Sequence, residues 1–348
     1  MTYAQPIKTT SHGLNRPRVA VLIPEEVRGR IFPDTVTKAL SEFAEPVFYA
    51  DDELRDQDIA PALSGITAVI TGWQSPKLPL DSLAPRGSVQ IISHAAGSVI
   101  RLGVKEALER GEIRVSHSAP VIGEAVAEFT LAQILAHLRR HRDTDAAMRR
   151  GEGWLQVKQS YLGQLLSAQK VGIVGLGYVG RMVLDLLKPF RCEVMVFDPY
   201  VSETEADGLG VISCDLETLF RECSVVSLHA PNIEATNGMI TKSLLDLMAE
   251  GALLVNNARA GLLEKGALLE TLDAGRIFAA IDVFDVEPLP EGDRIFDLPN
   301  VYLSPHSAGH THESYVRQGL SAVEDVRRFF TGERLLQEIP PERAATMA

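Results

Sequence analysis

The sequence contains few of the features that mark secreted, membrane-spanning or nucleic-acid-binding proteins. Only three of its 348 residues are cysteine, an odd count without metal-ligand spacing that disfavours a disulfide framework and favours a reducing, cytoplasmic setting. Long apolar runs are missing, and the first 17 residues are polar, so we expect no membrane span, no secretory signal and a frayed N-terminus. The net charge of −12 disfavours nucleic acid and anionic membranes as partners.

The composition is that of a globular protein large enough for two domains. Hydrophobic residues make up 45% of the chain and charged residues 23%. Strand-like runs alternate with helical stretches, which predicts parallel sheets joined by right-handed crossovers. The predicted strands fall in two sets, 18–23, 47–49, 68–71, 89–93 and 113–116, then 171–174, 193–197, 225–229, 252–255, 278–282 and 301–303.

A helix over 122–138, with apolar residues near a period of 3.6, separates the two sets. A polar arm, 139–160, leads from it to the second set. A final amphipathic helix over 312–330 is too short to form a domain, so we expect it to return to the first one. The predicted domains are therefore a discontinuous substrate domain, 1–118 plus 308–348, and a nucleotide-binding domain, 119–307.

A glycine motif with the spacing of a dinucleotide site directly follows the first strand of the second set. Gly175 allows a tight turn, Gly177 lets the backbone approach a pyrophosphate, and Gly180 lets the next helix pack close to the strand. The helix N-terminus offers unpaired N–H groups to the phosphates. Asp198 ends the following strand, where an acidic residue accepts hydrogen bonds from a ribose. This pattern predicts a Rossmann-type NAD site.

Three polar segments follow three other strands of the second set. They carry Arg259, Glu287 and His306, at the sheet edge where open parallel sheets bind ligands. Reduction of a ketone by hydride requires a proton donor, for which histidine is suited. A neighbouring carboxylate stabilises the imidazolium, and a guanidinium can hold a substrate carboxylate.

With these segments, the chain resembles the D-isomer-specific 2-hydroxyacid dehydrogenase family over roughly residues 60–330. The resemblance is strongest in 171–180, in 227–231 with Thr236, and in the three polar segments. It implies an α/β fold of two Rossmann-like, doubly wound parallel-sheet domains with the active site in the cleft between them. It also implies that Arg259 binds the substrate, that Glu287 is the partner acid and that His306 is the acid/base.

The resemblance also assigns the cofactor, which is NAD. Asp198 is expected at the adenosine ribose, and Asp282 with the Ala258 backbone at the nicotinamide carboxamide. The residues expected at the cofactor are Gly175, Gly177, Tyr178, Val179, Gly180, Asp198, His229, Ala230, Pro231, Thr236, Ala258 and Asp282.

The substrate loop departs from the family pattern. The family usually has Gly-x-Gly-x-Asp-Asn here, whereas this chain reads Ala-Ala-Gly-Ser-Val-Ile-Arg over 95–101. The amides of Ala96 and Gly97 remain suited to a carboxylate, and Trp73 and Arg101 are the other candidate substrate contacts. Val99, Ile100 and Trp73 favour an apolar substituent on the keto acid, whereas Arg101 favours a second charge. The identity of the 2-hydroxy acid stays open.

The preferred function is an NAD-dependent oxidoreductase that interconverts a D-2-hydroxy acid and its 2-keto acid. The alternative is a non-catalytic, NAD-sensing protein like the corepressor relatives of the family. No metal is expected, because the histidines at 306, 310 and 312 lack further ligands. The family resemblance suggests a homodimer formed through the 122–138 helix and the arm. The chain ends about 40 residues after His306, so no appended regulatory domain is expected.

Overall fold

The structure, a computed structural model, describes residues 16–55 and 59–346. Nearly all of the predicted frayed N-terminus lies outside these residues. The chain divides into two compact units, one formed by Met1–Ile122 with His310–Ala348 and the other by Gly123–Gly309. Each unit is built on a sheet whose strands all pair in parallel, and the α/β class predicted from the sequence is confirmed.

The first unit contains a five-stranded parallel sheet. Its three inner strands are rich in valine and isoleucine and are buried on both faces, as is typical of parallel sheets covered by helices. The sheet order is β2-β1-β3-β4-β5. The strands are β1 Arg18–Val21, β2 Glu45–Phe48, β3 Ala68–Thr71, β4 Ile91–His94 and β5 Arg114–His117, and the helices between them are α1 Glu25–Ile31, α2 Asp34–Ser41, α3 Asp51–Arg55 and α4 Lys105–Glu109.

The second unit contains a seven-stranded parallel sheet in the order β12-β11-β10-β9-β6-β7-β8. The chain runs outward from β6 in both directions, so the order reverses there, at the point where such sheets bind ligands. The strands are β6 Lys170–Val174, β7 Glu193–Phe197, β8 Ile212–Ser213, β9 Val225–Leu228, β10 Leu253–Asn256, β11 Phe278–Ile281 and β12 Val301–Leu303.

Eight α-helices connect or precede the strands of the second sheet within the described residues. The boundary between the units falls inside the first of these helices. The helices are α5 Ala119–Leu138, α6 His141–Arg149, α7 Trp154–Ser160, α8 Tyr178–Leu187, α9 Glu203–Leu209, α10 Leu216–Glu222, α11 Lys242–Leu247 and α12 Ala267–Asp273.

The last helix, α13 His312–Thr331, belongs to the first unit, where it packs against α1 and α2. Thr311 caps its N-terminus by accepting a hydrogen bond from the Ser314 N–H. A Cβ atom at Gly319 would lie 2.1 Å from the carbonyl oxygen of Ile31. The close approach of α13 to α1 therefore depends on glycine at this position.

The structure corrects the sequence-based description of the arm. Residues 139–160 were expected to be an arm, whereas they form α6 and α7 joined by a short turn. These helices are short and contain few apolar residues, so a prediction based on apolar residues passed over them. Most predicted strand ends differ from the observed ones by one or two residues, and β8, with two residues, was not predicted.

Helix α5 also corrects the statement that no apolar segment reaches the length of a membrane span. It has 20 residues and a mean hydropathy of 1.3, so by length and composition alone it is long and apolar enough to cross a membrane. Its buried side includes Ala127, Ile134 and Leu138, which pack into the core beneath β6. An apolar helix of this length is also found in the cores of soluble proteins.

Candidate functional site

The glycine turn between β6 and α8 has the geometry of a phosphate-binding turn. Gly175 has φ +92°, and a Cβ atom there would lie 2.6 Å from the Ala230 nitrogen. A Cβ at Gly180 would lie 2.2 Å from the Gly175 oxygen, so the helix approaches the strand more closely than any other residue would allow. By contrast, a Cβ at Gly177 would have no atom within 4 Å. The open side of the turn thus faces space in which a pyrophosphate fits at the N-terminus of α8.

Asp198 directly follows β7 and is bound to this turn. Its Oδ2 accepts a hydrogen bond from the Leu176 N–H at 2.6 Å, and its Oδ1 accepts one from the Tyr200 N–H at 2.9 Å. A carboxylate has about four acceptor positions, so two remain for ribose hydroxyls. The residue therefore organises the glycine turn and presents a negative charge beside it.

The end of β9 lies next to the glycine turn. The His229 N–H donates to the Val174 oxygen at 2.7 Å, and the ring Nε2 hydrogen-bonds with the Ser227 hydroxyl at 2.9 Å. Burial lowers the pKa of His229 to about 4, so its ring is neutral near pH 7. Because His229 is neutral, Asp198 is the predicted cofactor residue that carries a charge on this side of the glycine turn.

The segment after β9 is a compact turn. The Thr236 hydroxyl donates to the Pro231 oxygen at 2.5 Å and accepts from the Ile233 N–H at 2.9 Å. Tyr178, at the start of α8, is half exposed. Val179 contributes to the core around β6. These predicted cofactor residues, Thr236, Pro231, Tyr178 and Val179, therefore add no charge to the site.

His306 and Glu287 form a hydrogen-bonded pair at the same sheet edge. His306 Nδ1 lies 2.7 Å from Glu287 Oε2, and the two side chains are 50% and 36% exposed. The other carboxylate oxygen of Glu287 accepts from the Phe284 N–H at 3.0 Å. Both oxygens of Glu287 are therefore oriented, and Nε2 of His306 is the ring nitrogen available for proton transfer.

The pKa of Glu287 shows that this pair holds a carboxylate. Burial raises the pKa of Glu287, but the hydrogen bonds from His306 and the Phe284 N–H, with the charges of His306 and Arg259, lower it below its ordinary value of 4.5. Glu287 is therefore ionised at neutral pH, and its negative charge faces the imidazole ring.

Arg259 follows β10 and interacts electrostatically with Glu287. Burial lowers the pKa of Arg259, while the charge of Glu287 raises it; an arginine nevertheless remains charged at neutral pH. One Nη1–H donates to the Ala258 oxygen at 2.7 Å. The second unit thus places the three predicted catalytic side chains, Arg259, Glu287 and His306, in one electrostatically connected group.

Asp282 has a role that the sequence did not indicate. It is 1% exposed, and its two oxygens accept hydrogen bonds from the Ser307 and Ala308 N–H groups at 2.8 and 2.9 Å. These amides directly follow His306, which has a left-handed backbone with φ +51°. Such a conformation is costly for a residue with a side chain and persists only when its surroundings impose it. Asp282 therefore clamps the turn that carries the histidine.

Hydrogen bonds from the end of β5 hold the predicted substrate loop of the first unit. Ser118 N–H donates to the Ala96 oxygen at 2.9 Å, and His117 Nδ1 donates to the Gly97 oxygen at 3.1 Å. Neither His117 nor Ser118 was predicted, although His117 is the last residue of β5 and Ser118 the next one, and the end of β5 lies beside that of β4. With their carbonyls bound inward, Ala96 and Gly97 have the constrained backbone that a carboxylate-binding loop requires.

The side chains around that loop differ from expectation in one respect. Val99 is buried in the core of the first unit and does not line the surface of the loop. Arg101 is exposed. Trp73 packs against His310 and Tyr315, with ring centroids 5.4 and 5.5 Å apart. Val99 therefore lends no support to an apolar substrate pocket.

Among residues 16–55 and 59–346, no three His, Cys, Asp or Glu side chains come together in a way that could hold a metal ion.

The glycine turn and the residues at the ends of the neighbouring strands define a dinucleotide-binding α/β protein. The chain belongs to the D-isomer specific 2-hydroxyacid dehydrogenase family: the model of the NAD binding domain of that family matches residues 131–308. The family predicted from the sequence is confirmed, and so is its cofactor, NAD.

Named relatives agree with this family. The chain is 34% identical over 257 residues to a glyoxylate reductase of Korarchaeum cryptofilum, covering 73% of this chain and 75% of the relative. It is 31% identical over 253 residues to a D-3-phosphoglycerate dehydrogenase of Archaeoglobus fulgidus, covering 72% of this chain and 47% of the relative. The chain thus spans about half the length of the phosphoglycerate dehydrogenases it matches. The apo-structure of D-lactate dehydrogenase from Escherichia coli superimposes with a TM-score of 0.69 at 25% identity, covering 92% of this chain and 99% of that one.

Proposed function

We propose that this protein is an NAD-dependent oxidoreductase that interconverts a D-2-hydroxy acid and its 2-keto acid. The observation that carries the proposal is the 2.7 Å contact between His306 Nδ1 and Glu287 Oε2, with Arg259 close enough for the charge of that carboxylate to raise its pKa. Binding of an anionic substrate and proton transfer to it together need Arg259, Glu287 and His306. An NAD-sensing protein without catalysis needs none of the three, so the presence of all three favours the enzyme.

In the direction of reduction, bound NADH supplies the hydride. Arg259 holds the carboxylate of the keto acid, because a guanidinium matches a carboxylate in a planar, two-bond geometry. His306 donates its Nε2 proton to the developing alkoxide. Glu287 fixes the ring through Nδ1 and stabilises the imidazolium, and Asp282 holds the backbone that presents the ring. In the direction of oxidation, His306 accepts the proton of the hydroxyl group.

The proposal is tested by incubating the purified protein with NADH and a set of 2-keto acids. The set comprises glyoxylate, 2-ketoisocaproate, phenylpyruvate, 2-ketoglutarate and phosphohydroxypyruvate. Consumption of NADH with formation of the D-2-hydroxy acid supports the proposal. The ratio of kcat/KM between apolar and doubly charged substrates then decides whether Trp73 or Arg101 dominates the specificity. NADH binding without turnover on any of the acids would instead support the sensor.

Replacement of Glu287 by glutamine should change the pH dependence of reduction. Glutamine keeps the size of the side chain but removes the negative charge that faces the imidazolium. The pH at which reduction begins to fail on raising the pH should therefore be lower in Glu287→Gln than in the wild type. Rate–pH profiles for both proteins check this, and overlapping profiles would show that Glu287 does not stabilise the protonated histidine.

The same pair should contribute to stability in a defined pH range. The pKa of Glu287 is lower in the folded state than its ordinary value, so its contribution is present above the ordinary pKa and is lost as the pH falls through the folded-state pKa. The free energy of unfolding of Glu287→Gln should accordingly differ least from that of the wild type at the lowest pH values measured. A difference that grows toward acid pH would contradict this sign.

We further propose that Asp198 makes the enzyme selective for NADH over NADPH. Its carboxylate lies beside the glycine turn, accepts hydrogen bonds from ribose hydroxyls and repels a 2′-phosphate. Tyr200, the next residue but one, brings no cation. kcat/KM should therefore be clearly higher with NADH than with NADPH. Asp198→Ala should bring the two values closer together. Comparable values for both cofactors in the wild type would contradict the assignment.

We propose a homodimer formed through α5 and the segment that follows it. Trp154, Leu155, Leu162 and Leu165 are 67–78% exposed, an unusual concentration of large apolar side chains. Leu162→Glu should convert the dimer to a monomer in light scattering at micromolar concentration. Ile212→Glu, on the edge strand β8 and also exposed, is the matched control and should remain dimeric. A monomeric wild type would exclude this proposal.

A further inference from the structure

The loop that carries Arg259 is held by two consecutive asparagines at the end of β10. Asn256 closes the loop on itself: its Nδ2 donates to the Arg259 oxygen at 2.9 Å, and its Oδ1 accepts from the Ala258 N–H at 3.1 Å. This ring of hydrogen bonds sets the shape of the loop. It does not set where the loop lies relative to the rest of the unit.

Asn257 ties the loop to helix α5. Its side-chain nitrogen donates to the Thr130 hydroxyl at 2.9 Å and to the Gln133 side-chain oxygen at 2.8 Å. The two acceptors are three residues apart, so they lie next to each other on one face of α5. Asn257 is 7% exposed and Thr130 is fully buried. The contact is therefore shielded from water and spans 127 residues of sequence.

Asn257 makes its side-chain hydrogen bonds through its two N–H groups and none through its oxygen. The Thr130 hydroxyl donates its own hydrogen bond to the Val126 oxygen at 2.8 Å. Its oxygen is therefore available to accept the hydrogen bond from Asn257. The Oδ1 of Asn257, by contrast, is buried without a hydrogen-bond partner in the described part of the chain. An unpaired buried oxygen costs stability that an apolar side chain would avoid. Packing alone therefore does not explain an asparagine here.

We propose that Asn257 is a positioning residue for Arg259. By tying the loop to α5 on one side of Arg259, it keeps the guanidinium where it meets the carboxylate of the keto acid. The inference rests on the role of Arg259 in the function proposed above. Asn257 itself touches neither substrate nor cofactor in this scheme; it acts through the backbone of Ala258, the one residue that separates it from the arginine.

The test compares Asn257→Ala with a matched control, Asn300→Ala. Asn300 is 6% exposed, its Nδ2 also donates two hydrogen bonds, to the Leu272 and Ile277 oxygens, and its Oδ1 is likewise unpaired among the described residues. Asn257→Ala should raise the KM for the keto acid about 10-fold, since small displacements of a substrate-holding group have large effects. The dissociation constant of NADH should change much less, because the glycine turn and Asp198, which are expected to hold the phosphates and the ribose, lie outside this loop. Asn300→Ala should lose thermal stability without a change in KM.

A double-mutant cycle shows whether the effect passes through the arginine. The increase in KM caused by Asn257→Ala should largely disappear when Arg259 is already lysine, because the group being positioned is then gone. Thr130→Val with Gln133→Met, which removes the acceptors on α5, should reproduce the effect of Asn257→Ala. Thr271→Val is the control for this pair, since Thr271 is also buried and donates to the carbonyl four residues earlier.

An unchanged KM in Asn257→Ala, an equal increase in Asn300→Ala, or an additive effect with Arg259→Lys would overturn the proposal. A wild type that reduces no keto acid would contradict the proposed function instead. In that case the tether is tested without turnover, by the NMR signal of the Arg259 Nε–H in the free protein, identified by its loss in Arg259→Lys. The signal should move in Asn257→Ala and stay in place in Asn300→Ala; an unmoved signal in both would overturn the tether.

Discussion

Replacement of His306 by alanine should reduce kcat by ~10²–10⁴-fold, the usual contribution of a positioned general acid, while NADH still binds. Nε2 of His306 is the proton donor in the proposed reduction, and the glycine turn that receives the cofactor makes no use of the ring. Stopped-flow rates and NADH fluorescence titration on the same preparations measure both effects. A variant that keeps more than about a tenth of the wild-type turnover would defeat the assignment, since the expected loss starts at 10².

The backbone of His306 calls for a second variant. With φ +51°, the position favours residues that tolerate the left-handed region, and asparagine does so better than alanine. His306→Asn therefore keeps the turn while removing the acid/base group. Equal loss of turnover in His306→Asn and His306→Ala assigns the loss to the missing imidazole; activity restored by asparagine would assign it to the turn.

Asp282→Asn should cause the second large effect, about a 10²-fold fall in kcat, because small misplacement of a reacting group is this costly. The amide offers one acceptor atom where the carboxylate offers two, and its NH₂ group would face a backbone N–H. The turn after β12 then loses one of the two hydrogen bonds that hold Ser307 and Ala308. Loss of a hydrogen bond to a buried charge should also lower the free energy of unfolding by about 2–3 kcal/mol.

A matched variant separates the clamp from a loss of stability. Asp325 is also 1% exposed and accepts from two successive N–H groups, those of Leu336 and Gln337. Asp325→Asn should lose comparable stability but keep its kcat. The dissociation constant of NADH separates the clamp from the nicotinamide contact that the family resemblance implies. Weaker NADH binding with unchanged kcat at saturation would contradict the clamp.

The sequence alone determined the class of fold and the location of the cofactor turn. The strands carry valine and isoleucine in short runs separated by turn residues, and this signal is local. The glycine turn is equally local: a Cβ atom at Gly175 or Gly180 would collide with the backbone, so only glycine allows the strand to pass into the helix at that distance. Arg259, Glu287 and His306 were identified for a related reason, since each follows a strand and parallel strands end at the same edge.

The tertiary structure decided how those side chains are held. Asp282 binds amides 25 and 26 residues further along the chain, and Asn257 reaches a helix 127 residues earlier. Hydrophobic periodicity carries no information about such pairs, because it describes which face of an element is buried and not which polar atoms meet. Tertiary context also placed Val99 in the core and folded the polar arm into α6 and α7. Local sequence therefore set the elements and the strand-end residues, while hydrogen bonds between distant segments set the geometry of the site.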